Sequence, residues 1–114
     1  MENRETNETK TPDDLLLEDV LNELDITFED EQIKKKIADI LRRGKARIEY
    51  FAGESIDFHK NMQARELLFS YCRYGRSNAI GEFEHDFLSQ ITAFSIEMEI
   101  QRMKGKEESN EKTV

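Results

Sequence analysis

The sequence has little or none of the residues on which many small folds and catalytic sites depend. It contains one cysteine, Cys72, so it offers neither an internal disulfide nor a cysteine-based zinc site, and it fits a reducing compartment. It has one proline, five glycines and no tryptophan. Few helix-breaking residues, together with abundant Glu, Lys, Leu and Ile, favour helices over strands.

Long apolar segments are also missing. No run approaches the roughly 20 residues that are needed to cross a bilayer, so we expect no contact with a membrane. Residues 1–10 carry no apolar core of the kind found in signal peptides, and their polar, aperiodic composition predicts disorder. We therefore expect a cytoplasmic protein, at least when it is made.

The charge of the chain is unevenly distributed. The formal net charge is −8, with twelve acids and two bases in residues 1–31 but seven bases and two acids in residues 32–53. Such an asymmetry indicates that the two parts meet different partners. An equally good explanation is that acids gather at helix N-termini and bases farther along, where each favours the helix dipole.

The periodicity of the apolar residues predicts four helices in one domain with a single modest core. Thr11 is a good N-cap and Pro12 a good first helical residue, so a short helix is predicted over residues 13–24. Apolar stripes predict longer helices over residues 30–52, 58–76 and 79–104. We therefore expect an all-α bundle of three long helices and a short N-terminal one, spanning 12–104, with an acidic tail at 1–11 and a flexible tail at 105–114.

The second helix combines an apolar stripe, from Ile33 to Phe51, with a broad basic surface. Its basic residues are Lys34, Lys35, Lys36, Arg42, Arg43, Lys45 and Arg47. A DNA-reading helix would concentrate such residues on one face, beside polar groups that contact bases. Here they spread over most of the remaining circumference, which favours a solvated face. A small DNA-binding or regulatory protein that uses residues 34–47 is the alternative function.

The third helix is apolar over more than half of its circumference, which predicts a central position in the bundle or a share in a subunit contact. Cys72 lies within this apolar face, so a core thiol is expected. Arg65 and Arg76 also point towards it. If buried, both need acidic or carbonyl partners, because an unpaired buried charge is very costly.

Catalytic constellations are nearly absent from the sequence. Glu82 and His85 form one Glu-x-x-His motif, whereas di-iron bundles use two such motifs and two further Glu residues. His85 lies opposite the Phe83/Phe87 stripe and should face solvent. There is no phosphate-binding glycine loop or nucleophile motif. We predict no enzyme, cofactor or metal site, and a di-iron enzyme is only a distant third possibility.

The fourth helix carries two apolar stripes. The first contains Ile80, Phe83, Phe87, Ile91, Phe94 and Met98 and should pack on the third helix. The second lies on the opposite side and contains Ala93, Ile96, Ile100 and Met103. One core cannot bury both, so Ile96, Ile100 and Met103, with Lys104, are the predicted partner-binding residues. The alternatives are that the first helix covers this stripe or that the helix end frays.

Two segments resemble the head–tail connector, or adaptor, proteins of tailed phages. They are YCRYGRSNAIGEFEHDFL, within residues 67–88, and ARIEYFAGESIDF, residues 46–58, and LLLEDVLNELDI at 15–26 is compatible with them. The resemblance implies a small helical protein that forms a ring, usually of twelve subunits, beneath the portal. Such a ring extends the DNA channel and carries the next connector, stopper or tail protein. In that family the C-terminal helix and tail commonly reach into the portal. The resemblance therefore implies that the second stripe of the fourth helix contacts the portal.

The resemblance also suggests how the charges are used. An acidic channel lets DNA slide past without specific binding, whereas a basic one would hold the phosphates. We expect subunits to join through oppositely charged surfaces of the first two helices, namely Asp19 and Glu23 against Lys35, Arg42 and Arg43. The free protein should be a monomer or small oligomer in the host cytoplasm and should become a ring at the neck of the virion.

Overall fold

The computed structural model describes residues 10–27 and 30–113, with side-chain surroundings up to residue 107. These ranges contain five α-helices: α1 (Pro12–Glu23), α2 (Glu31–Ala52), α3 (Met62–Arg76), α4 (Ile80–Asp86) and α5 (Leu88–Thr113). They contain no strand, which confirms the predicted all-α helical bundle. Most of the predicted N-terminal tail, residues 1–9, lies outside the described residues.

The first two helices begin and end within one residue of their predicted bounds. Thr11 and Asp14 form a capping box, in which each side chain accepts a hydrogen bond from the backbone N–H of the other, at 3.1 and 3.0 Å. Asp30 caps α2, and Gly53 ends it with a left-handed φ of 77°.

The third helix begins four residues later than predicted. Asn61 is its N-cap and accepts a hydrogen bond from the backbone N–H of Ala64 at 3.0 Å. Before it, Asp57 accepts a bond from the backbone N–H of His59 at 2.9 Å and so stabilises a turn. Short polar side chains of this kind compete with helical bonding. Phe58 lies in that turn and is buried all the same.

The predicted fourth helix is two helices, because the chain leaves helical geometry at Phe87. The Phe83 and Phe87 rings stack at 5.0 Å, and Tyr74 donates a hydrogen bond to Asp86 at 2.8 Å, which holds the end of α4 on α3. The helix that follows continues through Gly105 to Thr113, where a flexible tail was predicted. A glycine inside a helix costs only about 1 kcal/mol and is not by itself a stop.

The third helix is central, as its broad apolar surface predicted. It contacts each of the other four helices. Cys72 is fully buried, which confirms the predicted core thiol. The helix approaches α2 closely at Gly44, where an added Cβ would lie 2.6 Å from Cδ1 of Tyr71.

Arg65 is half-buried and Arg76 is exposed, and both have hydrogen-bond partners. Arg65 donates to Asp19 at 2.6 Å and to the carbonyl oxygen of Phe58 at 3.3 Å. Arg76 donates to the carbonyl oxygen of Leu24 at 2.5 Å. Throughout the described part of the chain, every buried side-chain nitrogen or oxygen has a hydrogen-bond partner. In the same part, no helix is sufficiently long and apolar to cross a bilayer.

Candidate functional site

The C-terminal helix presents two apolar faces, of which the bundle buries one. Ile91, Phe94 and Met98 pack in the core. On the opposite side Ile96, Ile100 and Met103 are 55%, 40% and 55% exposed. We call these three residues the α5 strip. α1 contacts α2 and α3 but not α5 in the described ranges, so the first helix does not cover the strip.

Two hydrogen bonds from α5 to the end of α2 fix the direction in which the strip faces. Ser95 donates to the carbonyl oxygen of Phe51 at 2.9 Å, and Arg102 donates to that of Ala52. The last carbonyls of a helix have no partner within the helix, so both bonds satisfy groups that would otherwise need water. The Arg102 charge also favours the negative end of the α2 dipole. These pairings could not be predicted, because the spacing of residues within α5 does not identify partners on α2.

Beyond Arg102 the helix leaves the bundle. Residues 103–107 are all exposed. The whole of α5 has 26 residues and is therefore about 39 Å long, at ~1.5 Å per residue. Lys104 lies at the edge of the strip beside Ile100. The predicted partner-binding residues are thus brought together on one exposed helical face.

The predicted subunit-contact residues are, by contrast, mostly paired within the chain. Asp19 binds Arg65 at 2.6 Å and Glu23 lies 3.5 Å from Arg73, so both acids face α3. The acid that reaches the basic flank of α2 is Asp13, which pairs with Lys45. The cause is the path of α1, whose first turn lies near α2 and whose later turns lie near α3.

The three basic members of that predicted contact all lie on the surface of α2. Arg42 and Arg43 both pair with Asp39 of the same helix. Lys35 is exposed and belongs to no ion pair among the described residues. Among the described residues, Lys35 is the one member of the predicted contact without an intrachain ion pair.

A second intrachain tie, which the sequence did not predict, joins α2 to α4. Nε and Nη2 of Arg47 donate to the two oxygens of the Glu84 carboxylate, at 2.7 and 3.0 Å. This bidentate pairing lowers the pKa of Glu84 from its ordinary value. The pair connects the C-terminal half of α2 to α4.

Two groups bear on catalysis, the Cys72 thiol and the His85 imidazole. Burial raises the pKa of Cys72 to about 12, which disfavours the thiolate that a nucleophile needs. The His85 side chain is 90% exposed, as predicted, and lies 3.2 Å from Asp86. Within the described ranges no three His, Cys, Asp or Glu residues are placed to hold a metal ion.

Comparison of the chain with protein-family models, curated proteins and solved structures finds no match.

Proposed function

We propose that the chain is a structural head–tail connector of a tailed phage. In this role it forms a ring below the portal, extends the DNA channel and provides the docking platform for the next connector or tail protein. The observation that carries the proposal is the α5 strip, an apolar face on a long helix that the chain's own core leaves exposed. The strip lies downstream of the segment within residues 67–88 whose sequence resembles the adaptor family.

The strip has the physical character of a docking surface. Burying an aliphatic side chain contributes roughly 1.5–3 kcal/mol, so three exposed ones represent several kcal/mol of unused binding energy. Clustered exposed apolar groups usually mark contact sites. Because residues 103–107 stand clear of the bundle, the helix can enter a groove of the portal while the bundle stays outside. Lys104 at the edge then meets polar groups at the rim of that groove.

The overall acidity supports a channel role. A formal charge of −8 gives a ring of such subunits a strongly negative field, which repels the DNA backbone and lets it pass. A ring also needs two different faces on each subunit that fit one another. Lys35, exposed on α2, is the basic group best placed for such a face. Individual surface pairs are weak and screened by salt, which suits assembly on the portal as a template.

The proposal is tested by mixing the protein with the portal of the same phage and imaging the mixture by negative-stain microscopy. We expect rings stacked on the portal. The double variant Ile96→Ser/Ile100→Ser should keep nearly the same melting temperature but lose attachment, because only exposed side chains change. The matched control is Leu15→Ser/Ile33→Ser, whose side chains are 45% and 39% exposed on other helices. It should attach like the original chain.

Two results would contradict the proposal. If the Ile96/Ile100 variant unfolds while the Leu15/Ile33 control stays folded, the strip belongs to an intramolecular core. If the variant still stacks on the portal and yields infectious particles, another surface performs the docking.

The DNA-binding alternative has less support. Of the seven basic residues of α2, Arg42, Arg43, Lys45 and Arg47 are paired with carboxylates of the chain itself. Phosphates would have to displace those partners. Salt-dependent binding of duplex DNA by the isolated protein, lost on charge reversal at Lys35, Arg42 and Lys45, would favour this alternative over the adaptor.

A further inference from the structure

The exposed face of α5 has the spacing of a coiled-coil seam. Ala93, Ile96, Ile100 and Met103 follow one another at intervals of three, four and three residues, which correspond to positions a, d, a and d of two heptads. All four are exposed. The single-helix stripe predicted from the sequence is therefore also a pattern suited to pairing with another helix.

The residues beside the seam carry charges of both signs. Glu97 and Lys104 occupy e positions, and Glu99 and Lys106 occupy g positions. In a parallel pair of helices, a g residue meets the e residue five positions farther along the other helix. Glu99 lies 3.2 Å from Arg102 of its own helix through one carboxylate oxygen. Its carboxylate then also meets Lys104 of the other copy, which gives two attractive pairs by symmetry.

We propose that the free protein dimerises through α5, which forms a parallel, in-register coiled coil with the α5 of a second copy. Ile96, Ile100 and Met103 each pack on their own equivalents. Because the seam lies opposite the core face of α5, the two bundles lie on the outer sides of the pair and do not collide across the seam.

The charges distinguish this register from the antiparallel ones. The antiparallel register that keeps the seam fully apolar packs Ile96 on Ile100, but it sets Glu97 against Glu97 and Glu99 against Glu99. If this antiparallel register is shifted by one heptad, the charges that flank the seam attract one another, but Ile96 then packs against Glu107. Of these three arrangements, the parallel one alone combines an apolar seam with complementary flanks.

The part of α5 beyond Arg102 also favours a partner. A helical segment of this length is marginal in water without packing, and its described side chains are exposed. A second helix along the seam supplies that packing. Glu107 at the next a position ends the apolar seam after two heptads, so the dimer is weak and reversible, with a dissociation constant in the micromolar to millimolar range.

This pairing concerns the free protein and does not rest on the proposed phage function. If both are correct, the dimer covers the α5 strip until the portal competes for it. A two-fold dimer uses one surface twice, whereas a ring needs two different surfaces, so the dimer has to open before a ring forms.

Sedimentation equilibrium of the full chain, from micromolar to millimolar concentration, tests the register through a charge-reversal cycle. Glu99→Lys and Lys104→Glu should each weaken association roughly tenfold, because each turns two attractive pairs into repulsive ones. The double variant Glu99→Lys/Lys104→Glu should restore it. The matched control is Glu97→Lys, which makes the same change of charge at a position opposite the neutral Thr92 and should have little effect.

Cysteine cross-linking gives an independent readout. Under mild oxidation Ile100→Cys should form a symmetric disulfide dimer, whereas Gln101→Cys, exposed on another side of α5, should not. The natural thiol does not compete because Cys72 is fully buried.

A chain that stays monomeric at millimolar concentration overturns the proposal. So does equal weakening by Glu97→Lys and Glu99→Lys, or cross-linking of Ile96→Cys with Ile100→Cys in preference to the symmetric pair. None of these readouts involves the portal, so failure here leaves portal docking to its own test.

Discussion

Arg102 of α5 donates a hydrogen bond to the carbonyl oxygen of Ala52, the last residue of α2. The same guanidinium lies 3.6 Å from Glu54 and 3.2 Å from Glu99, so it ties three segments at one point. We call these contacts of Arg102 with Ala52, Glu54 and Glu99 the clasp. They are the last described contacts of α5 with the bundle before the helix becomes wholly exposed. The clasp therefore sets where the folded body ends and where the projecting part of the helix begins.

The first prediction is that Arg102→Ala lowers the free energy of unfolding by about 1–2 kcal/mol. A hydrogen bond from a charged group contributes about 1.5–3 kcal/mol, and the 32% exposure of this side chain reduces that figure. The matched control is Arg42→Ala, whose side chain is 72% exposed and pairs within its own helix. It should change stability by less than about 0.5 kcal/mol in the same urea titration. Equal losses in the two variants would show that the clasp is not a stabilising contact.

The sequence sufficed for the features that depend on local spacing. Thr11 as an N-cap and the end of α2 at Ala52 follow from local residue types, and the outward face of Ile96 follows from helical spacing. The buried position of Cys72 follows from the same periodicity.

The features that the sequence did not predict depend on how the helices cross. Asp19 contacts Arg65 of α3 and not α2 because of the path that α1 takes across the bundle. The spacing of residues within α1 does not reveal that path. The break at Phe87 preserves the apolar stripe on both sides, so periodicity cannot detect it. The clasp at Arg102 likewise joins residues that are 50 positions apart.

A second prediction uses two glycines with opposite surroundings. Gly44→Ala should lower the free energy of unfolding by about 1–2 kcal/mol, because the new methyl group would lie 2.6 Å from Tyr71 and 2.9 Å from Leu68. Gly81→Ala, with nothing within 4 Å, should instead raise it by roughly 0.5 kcal/mol through helix propensity. Thermal unfolding of both variants checks this. Stabilisation by Gly44→Ala would mean that α2 and α3 are not closely packed.

A third prediction concerns pH. The pKa of Cys72 is raised from 9.0 to about 12 by burial, so between these values the folded chain binds more protons than the unfolded one. Stability from this group is complete below pH 9 and is lost as the pH rises towards 12, with a slope of up to about 1.4 kcal/mol per pH unit. Cys72→Ala should unfold with a shallower dependence on pH over the same range. Identical slopes for the two chains would contradict a buried thiol.

The last prediction separates contacts within the chain from contacts between subunits. Asp19→Asn should lower the melting temperature, because it removes a charged partner 2.6 Å from Arg65, whose side chain is only 21% exposed. An arginine left without its carboxylate near the core is more costly than a lost surface pair. Lys35→Glu should leave the melting temperature unchanged, since Lys35 lies on the surface of α2, but it should weaken ring formation on the portal. Differential scanning calorimetry of each free chain and electron microscopy of each portal mixture give the two readouts.

If Asp19→Asn leaves stability unchanged but blocks the ring, Asp19 is the subunit contact that the sequence predicted, and its pairing with Arg65 breaks on assembly. If Lys35→Glu forms rings as readily as the original chain, the basic flank of α2 takes no part in joining subunits, and the neighbouring face must lie elsewhere on the bundle.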